Sequence, residues 1–284
     1  MLARLGGVAD AATLIAATSR RRVRTAVAGG AIIRIGRGRY ALPTAEEARQ
    51  AAARLSGVVS HASAAAAWGW EAKYPPPLPH VTVPRGRNVA PDRREGVRLH
   101  SGPLTGGERR EGITGRARTV IDCAKVMPFD EALAIADSAL RNEDVTTREL
   151  LWWAERVRTT GRAACLRVAR EADGRAHNPF ESVLRAIALD VPGLDVEPQL
   201  PVRCGGRWLH PDLGDRHRRI AIEAESFEFH SDVTALVRDC ERYNDLGTLG
   251  WTVYRFVWGN VMNAPWYVTR VLTAAAALPV RPAG

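Results

Sequence analysis

The chain has 284 residues, 46% of them hydrophobic, and a formal net charge of +9 at pH 7. That length exceeds the usual single domain of about 100–150 residues and the apolar content is ample for a buried core, so two or three domains are expected. No apolar run approaches the roughly 20 residues of a membrane span, and Met1–Gly7 lacks a long apolar signal core, which predicts a cytoplasmic protein with no membrane partner.

The charge is unevenly placed. Residues 1–44 hold eight arginines against one acid, Asp10, and so carry +7 of the +9. A basic patch of that density on a small module favours a polyanion, with DNA the leading partner. Val8–Ala16 reads as a first helix; Ser19 or Thr18 would cap a second over Arg20–Val27, and Gly29-Gly30 would stop it. Residues 31–35 alternate as a strand, residues 36–39 turn, and Tyr40-Ala41-Leu42 returns. This is the layout of a helix-turn-helix with a basic wing. Its second helix would bring Arg20, Arg21 and Arg24 to a groove or to phosphates, and the wing would add Arg37 and Arg39. The segment resembles the winged-helix domain of AbiEi-type antitoxins of type IV toxin–antitoxin systems, which implies DNA binding as a repressor.

Ala45–Leu55 reads as a helix, and a second begins after Val58-Val59 with Ser60 as its cap. Pro79–Arg87 alternates as a strand ending in a basic turn. The Ser60-His61-Ala62-Ser63-Ala64 and His80-Val81-Thr82-Val83-Pro84 segments extend the AbiEi-like resemblance to roughly residues 5–125. His61 and His80 have no Cys, Asp or Glu at metal spacing, so packing or capping is the expected role for them. Residues 116–172 look helical throughout, in four segments, with Trp152 and Trp153 on different faces of the third. The four cysteines, Cys123, Cys165, Cys204 and Cys240, are far apart and form no CxxC pair, so neither a zinc site nor a disulfide framework is expected.

The chemistry sits late in the chain. In a strand Ile220–Glu225, residues two apart share a face, which places Glu223 and Glu225 together. A hairpin turn over residues 214–218 would fold a strand Arg207–Leu213 back alongside and bring Asp212 to the pair. Three clustered carboxylates suit a hard cation such as Mg²⁺ or Mn²⁺, while the plainest alternative is that the acids line a solvated strand face. The order of a helix bearing Glu181, then Pro211-Asp212, then Glu223-Ala224-Glu225 resembles the PD-(D/E)XK nuclease fold. Within that fold it is similar to a Vsr-like domain of unknown function, a likeness that continues through Arg238-Asp239, Arg242-Tyr243-Asn244 and Trp251–Phe256. The resemblance implies Asp212, Glu223 and Glu225 as metal ligands, Glu181 in support, and Arg238 and Arg242 as phosphate-neutralising cations. Relatives commonly carry lysine where Glu225 stands, and no lysine follows Lys125. A histidine can take the base role, since it exchanges protons near neutrality; His230 is the first candidate by position and His210 the second.

Together these readings predict an α+β multi-domain chain. It would comprise a winged helix-turn-helix (1–44), a small α/β middle region (45–125), a helical connector (126–177) and a restriction-endonuclease-like α/β/α domain (178–284). Two functions stay open. One is a DNA-binding, metal-dependent endonuclease. The other is a non-catalytic, antitoxin-like transcriptional regulator, homodimeric or bound to a toxin partner, with a silent nuclease fold. The carboxylates favour the first. The missing lysine favours the second, as does the net −2 of residues 178–284, although a linked basic module would compensate by raising local concentration.

Overall fold

Asp10 decides where the first helix begins. In the computed structural model, which describes residues 2, 8–36, 38–225 and 233–279, the Asp10 carboxylate accepts from the Thr13 N–H at 2.7 Å and caps helix Ala11–Ala17. The helix expected from Val8 therefore starts three residues later, because Val8–Asp10 pairs as a strand with Arg39–Ala41. Ser19 accepts from the Arg22 N–H at 3.2 Å and opens helix Arg20–Ala28. Strand Ile33–Gly36 pairs antiparallel with Arg39–Ala41, which lies at the centre of a three-stranded sheet. Leu14, Val23 and Ile32 fill the small core beneath.

Helix Thr44–Leu55 follows and ends at Ser56, which adopts the left-handed region with φ 50°. A second three-stranded sheet has strand His80–Pro84 at its centre, antiparallel to Val58–Val59 and parallel to Arg98–Gly102. Gly57 is required where it stands, since a Cβ there would lie 2.6 Å from the Thr82 carbonyl oxygen. Helix His61–Trp68 packs between this sheet and the long helices that follow, and its alanines are almost all buried. Those helices are Arg116–Val126, Phe129–Arg141, Thr147–Glu155 and Arg162–Glu171. Polar ties join them to the middle region. Trp70, fully buried, donates from Nε1 to Asp144 at 2.8 Å, and the ion pairs Lys73–Asp130 and Arg141–Glu71 each close at 2.6 Å. Trp152 and Trp153 both keep exposed surface, and the Arg156 guanidinium lies 3.7 Å from the Trp152 ring centre.

The chain divides into two compact units, Met1–Gly174 and Arg175–Gly284. The second opens with helix Pro179–Leu189, capped by Asn178. Its four-stranded sheet runs in the order Thr252–Val257, Ile220–Glu225, Leu213–Asp215, Glu197–Pro198. The strand expected as Arg207–Leu213 is two pieces. Arg207–Leu209 forms its own hairpin with Val202–Cys204, and only Leu213–Asp215 returns against Ile220–Glu225. Asp215 explains the corner: its buried carboxylate accepts from the Arg218 N–H at 2.8 Å and the Asp195 N–H at 2.9 Å, fixing the turn over residues 216–219. Helix Val233–Thr248 covers the sheet with Leu246 against Ala221, and helices Trp258–Asn263 and Pro265–Ala277 pack beside Pro179–Leu189. The described residues thus form a mixed α/β structure of helices and several small sheets, and none of its helices is long and apolar enough to cross a membrane.

Candidate functional site

The acids of strand Ile220–Glu225 are not a solvated face, because helix Val233–Thr248 lays Arg242 and Tyr243 over them. Glu223 is 1% exposed and Glu225 8%. On one side the strand pairs in parallel with Thr252–Val257; on the other the ladder to Leu213–Asp215 ends at Leu213↔Ile222. Continuing that register sets Asp212 opposite Glu223 and Pro211 opposite Ala224. Cross-strand neighbours in such a register have Cβ atoms about 5 Å apart. Beyond the ladder's end the Ala224 N–H donates to the Asp212 carboxylate instead, at 2.8 Å.

Asp212 in turn links to Glu181. Gln199 holds both, its Nε2 lying 3.4 Å from Asp212 Oδ1 and 3.3 Å from Glu181 Oε2, and it adopts the left-handed region with φ 52° to do so. For a non-glycine residue that conformation is uncommon and is often found at functional positions. Glu181 is fixed further by the His177 N–H and by Asn178 Nδ2, each donating at 2.8 Å. The His177 ring stands beside it, Nδ1 being 3.8 Å from Glu181 Oε1, and is itself largely exposed.

Helix Val233–Thr248 supplies the cationic wall. Arg242 Nη2 lies 3.2 Å from Glu223 Oε2 and 3.6 Å from Asp239. Tyr243 donates its hydroxyl to Glu225 Oε1, which also accepts from Arg255 Nε at 2.7 Å. Two features of Glu223 set it apart. Its Oε1 is buried with no hydrogen-bond partner. Burial, reinforced by the Asp212 carboxylate, pushes its carboxyl up to about 9, so it holds a proton at neutral pH. Burial raises Asp212 as well. A buried acid with an orphaned oxygen and a half-buried acid beside it, both on hydrogen-bonded supports, offer the carboxylate oxygens that hard cations such as Mg²⁺ and Mn²⁺ take.

The structure therefore brings Glu181, Asp212, Glu223, Glu225 and Arg242 into one network. Arg238 is exposed on the same helix as Arg242, and His210 is exposed two residues before Asp212. His230 lies outside the described residues. Gln199 went unforeseen because its segment has no acidic or metal-spaced pattern of its own; His177 carried a readable signal, standing four residues before Glu181. Among the described residues, the group of three donor side chains drawn within 4.8 Å of one another is elsewhere, at His61, His80 and His100; the acids are set more openly.

In the first unit Arg20, Arg21 and Arg24 are all exposed on helix Arg20–Ala28, whose Val23 is turned into the core. Arg37 lies outside the described residues. Of Arg39 the structure describes the backbone, paired with Asp10 and Gly36.

No family model matches the chain. Two uncharacterized proteins from two strains of Mycobacterium tuberculosis are similar to it, each 32% identical over 167 residues. The match covers 56% of this chain and 61% of each relative.

Proposed function

We propose that the protein is a DNA-binding, metal-dependent endonuclease, in which residues 1–44 act as a winged helix-turn-helix and residues 178–284 as a Vsr-like PD-(D/E)XK domain of α/β/α architecture. The observation that carries the reading is the buried Glu223, its Oε1 unpartnered, beside the half-buried Asp212 carboxylate. Asp212 and Glu223 would hold Mg²⁺ or Mn²⁺, with Glu225 completing the shell directly or through water. The chemistry supplied by the bound ion is an activated water and neutralised charge on the phosphate. Glu181 acts through Gln199, whose amide fixes the Asp212 carboxylate in orientation. His177, beside Glu181, is placed to move a proton in the role that sequence alone assigned to His230. Arg242, whose Nη2 lies 3.2 Å from Glu223 Oε2, would with Arg238 neutralise phosphate charge. Arg20, Arg21 and Arg24 would supply the sequence-independent hold on DNA, with Arg37 and Arg39 on the wing.

Incubation with supercoiled plasmid and Mn²⁺ or Mg²⁺ tests this. Wild type should nick and an equally folded Asp212→Ala chain should not; cleavage unchanged by that substitution sinks the assignment. A second reading is favoured by the arginine partners already on the carboxylates, Arg242 on Glu223 and Arg255 on Glu225. In it the C-terminal unit is a silent fold, and the protein is an antitoxin-like regulator that dimerises or binds a toxin. DNA binding without nicking by wild type at any metal concentration would favour that reading.

A further inference from the structure

Three histidines from separate segments converge on one face of the middle sheet. His80 and Thr82 lie two residues apart on strand His80–Pro84 and so share a face. Thr82 is the register partner of His100 on the parallel strand, and His61 comes from the first turn of helix His61–Trp68. The ring centroids lie 3.5 Å apart for His61 and His100, 5.2 Å for His80 and His100, and 5.8 Å for His61 and His80. His100 Nε2 and His80 Nδ1 are 3.2 Å apart.

Packing alone does not ask for this arrangement. His61 is buried and sits in the left-handed region at φ 51°, which costs on the order of 1 kcal/mol for a residue with a side chain. Its Nδ1 is 2.9 Å from Ser60 Oγ, and that hydroxyl accepts from Thr82 Oγ1 at 2.8 Å. In the tautomer with Nδ1–H donating to Ser60 Oγ, which has room to accept a second bond, the ring is oriented and its Nε2 is left for a ligand, as the outer partners of metal-binding histidines do. Burial, and then the other imidazoles, lower His61 to about 2; burial also lowers His80 and His100 to about 4 each.

We propose that His61, His80 and His100 form a transition-metal site for Zn²⁺, with three imidazole ligands and a fourth position open. One nitrogen from each ring already lies within 4.8 Å of the others. The 3.2 Å between His100 Nε2 and His80 Nδ1 matches the edge of about 3.3 Å that a tetrahedron with Zn–N bonds of about 2.0–2.1 Å requires. The His61 and His100 planes differ by 17°, which sets their in-plane lone pairs in stacked, nearly parallel planes, so one ring turns about its Cβ–Cγ bond on loading. Imidazole donors select Zn²⁺, Cu²⁺ or Ni²⁺ over the hard cations suited to the carboxylates of the second unit, so the two sites take different ions.

Titration of the full chain with Co²⁺ in excess Mg²⁺ tests the site. One equivalent should develop the intense visible absorption of four-coordinate cobalt, and Zn²⁺ should displace it. His80→Gln and His100→Gln should each lose the band and bind Zn²⁺ more weakly by more than the ~100-fold that loss of an outer partner brings, whereas Asp212→Ala should keep it. No four-coordinate band in wild type, or Zn²⁺ affinity unchanged in both histidine variants, would overturn the proposal and leave the rings a hydrogen-bonded stack. A check free of variants is the ring ¹⁵N spectrum of wild type: Zn²⁺ should shift one nitrogen of each of three histidines, and unmoved signals refute the site.

Discussion

Removing the charge from Glu223 should stabilise the second unit at alkaline pH, and the size of the effect follows from where that carboxyl sits. In the fold its pKa is about 9, against an ordinary value of 4.5. Between those two values the folded chain keeps a proton that the unfolded chain has released, so stability is lost as pH rises. Each pH unit in that window is worth about 1.4 kcal/mol, so raising the pH from 6 to 8 in chelator should cost wild type up to about 2.7 kcal/mol. Asp212 and Arg242 share the site, so that figure is an upper bound for a proton belonging to the pair. Glu223→Gln keeps the shape and the neutral form and should remove the slope. Urea unfolding of both chains at pH 6 and pH 8 gives the comparison, with the other titrating groups cancelling in the difference. Saturating Mn²⁺ at pH 8 should return the lost stability to wild type alone, because the ion replaces the proton. Equal pH slopes in the two chains would refute the reasoning and mean that Arg242 keeps Glu223 ionised.

Replacing Arg20, Arg21 and Arg24 together by alanine should weaken DNA binding uniformly across sequences and reduce the slope of log K against log salt by about 0.9 for each phosphate no longer neutralised; filter binding across a salt series reads both. Glu108→Ala removes the acceptor that caps helix Gly106–Glu111 and pairs with Arg118 at 2.8 Å, and should cost the first unit about 3 kcal/mol in denaturant unfolding. Gly214→Ala would set a Cβ 2.5 Å from Leu200 Cδ2, so overpacking should destabilise the second unit by about 1–3 kcal/mol in the same assay.

Much of this was legible where the determinants are local. The parity of Ile220–Glu225 put Glu223 and Glu225 on one face, and both do meet the same helix, at Arg242 and Tyr243. Ser19 marked the start of helix Arg20–Ala28, and helix Arg116–Val126 has the bounds its pattern predicts. What stayed hidden depends on partners distant in sequence. Val8–Asp10 has helical composition but is claimed by a strand 30 residues on. His61 and His80 look isolated until parallel pairing of Arg98–Gly102 delivers His100. Gln199 carries no sign of its role, since its backbone strain is set by the return of the chain past Asp212. The burial of Glu223 was equally unreadable: an alternating acid marks a solvated face until helix Val233–Thr248 is known to cover it.

The central claim is that Asp212 and Glu223 bind a catalytic divalent cation, and calorimetric titration of Mn²⁺ into the full chain carrying one equivalent of Zn²⁺, with no free Zn²⁺ to compete at the carboxylates, tests it most directly. Wild type should take up Mn²⁺ at the carboxylates and then nick supercoiled plasmid. The Asp212→Ala/Glu223→Ala chain should do neither while still binding DNA through residues 1–44. Absence of Mn²⁺ uptake by wild type, or uptake and nicking that survive the double substitution, would contradict the account.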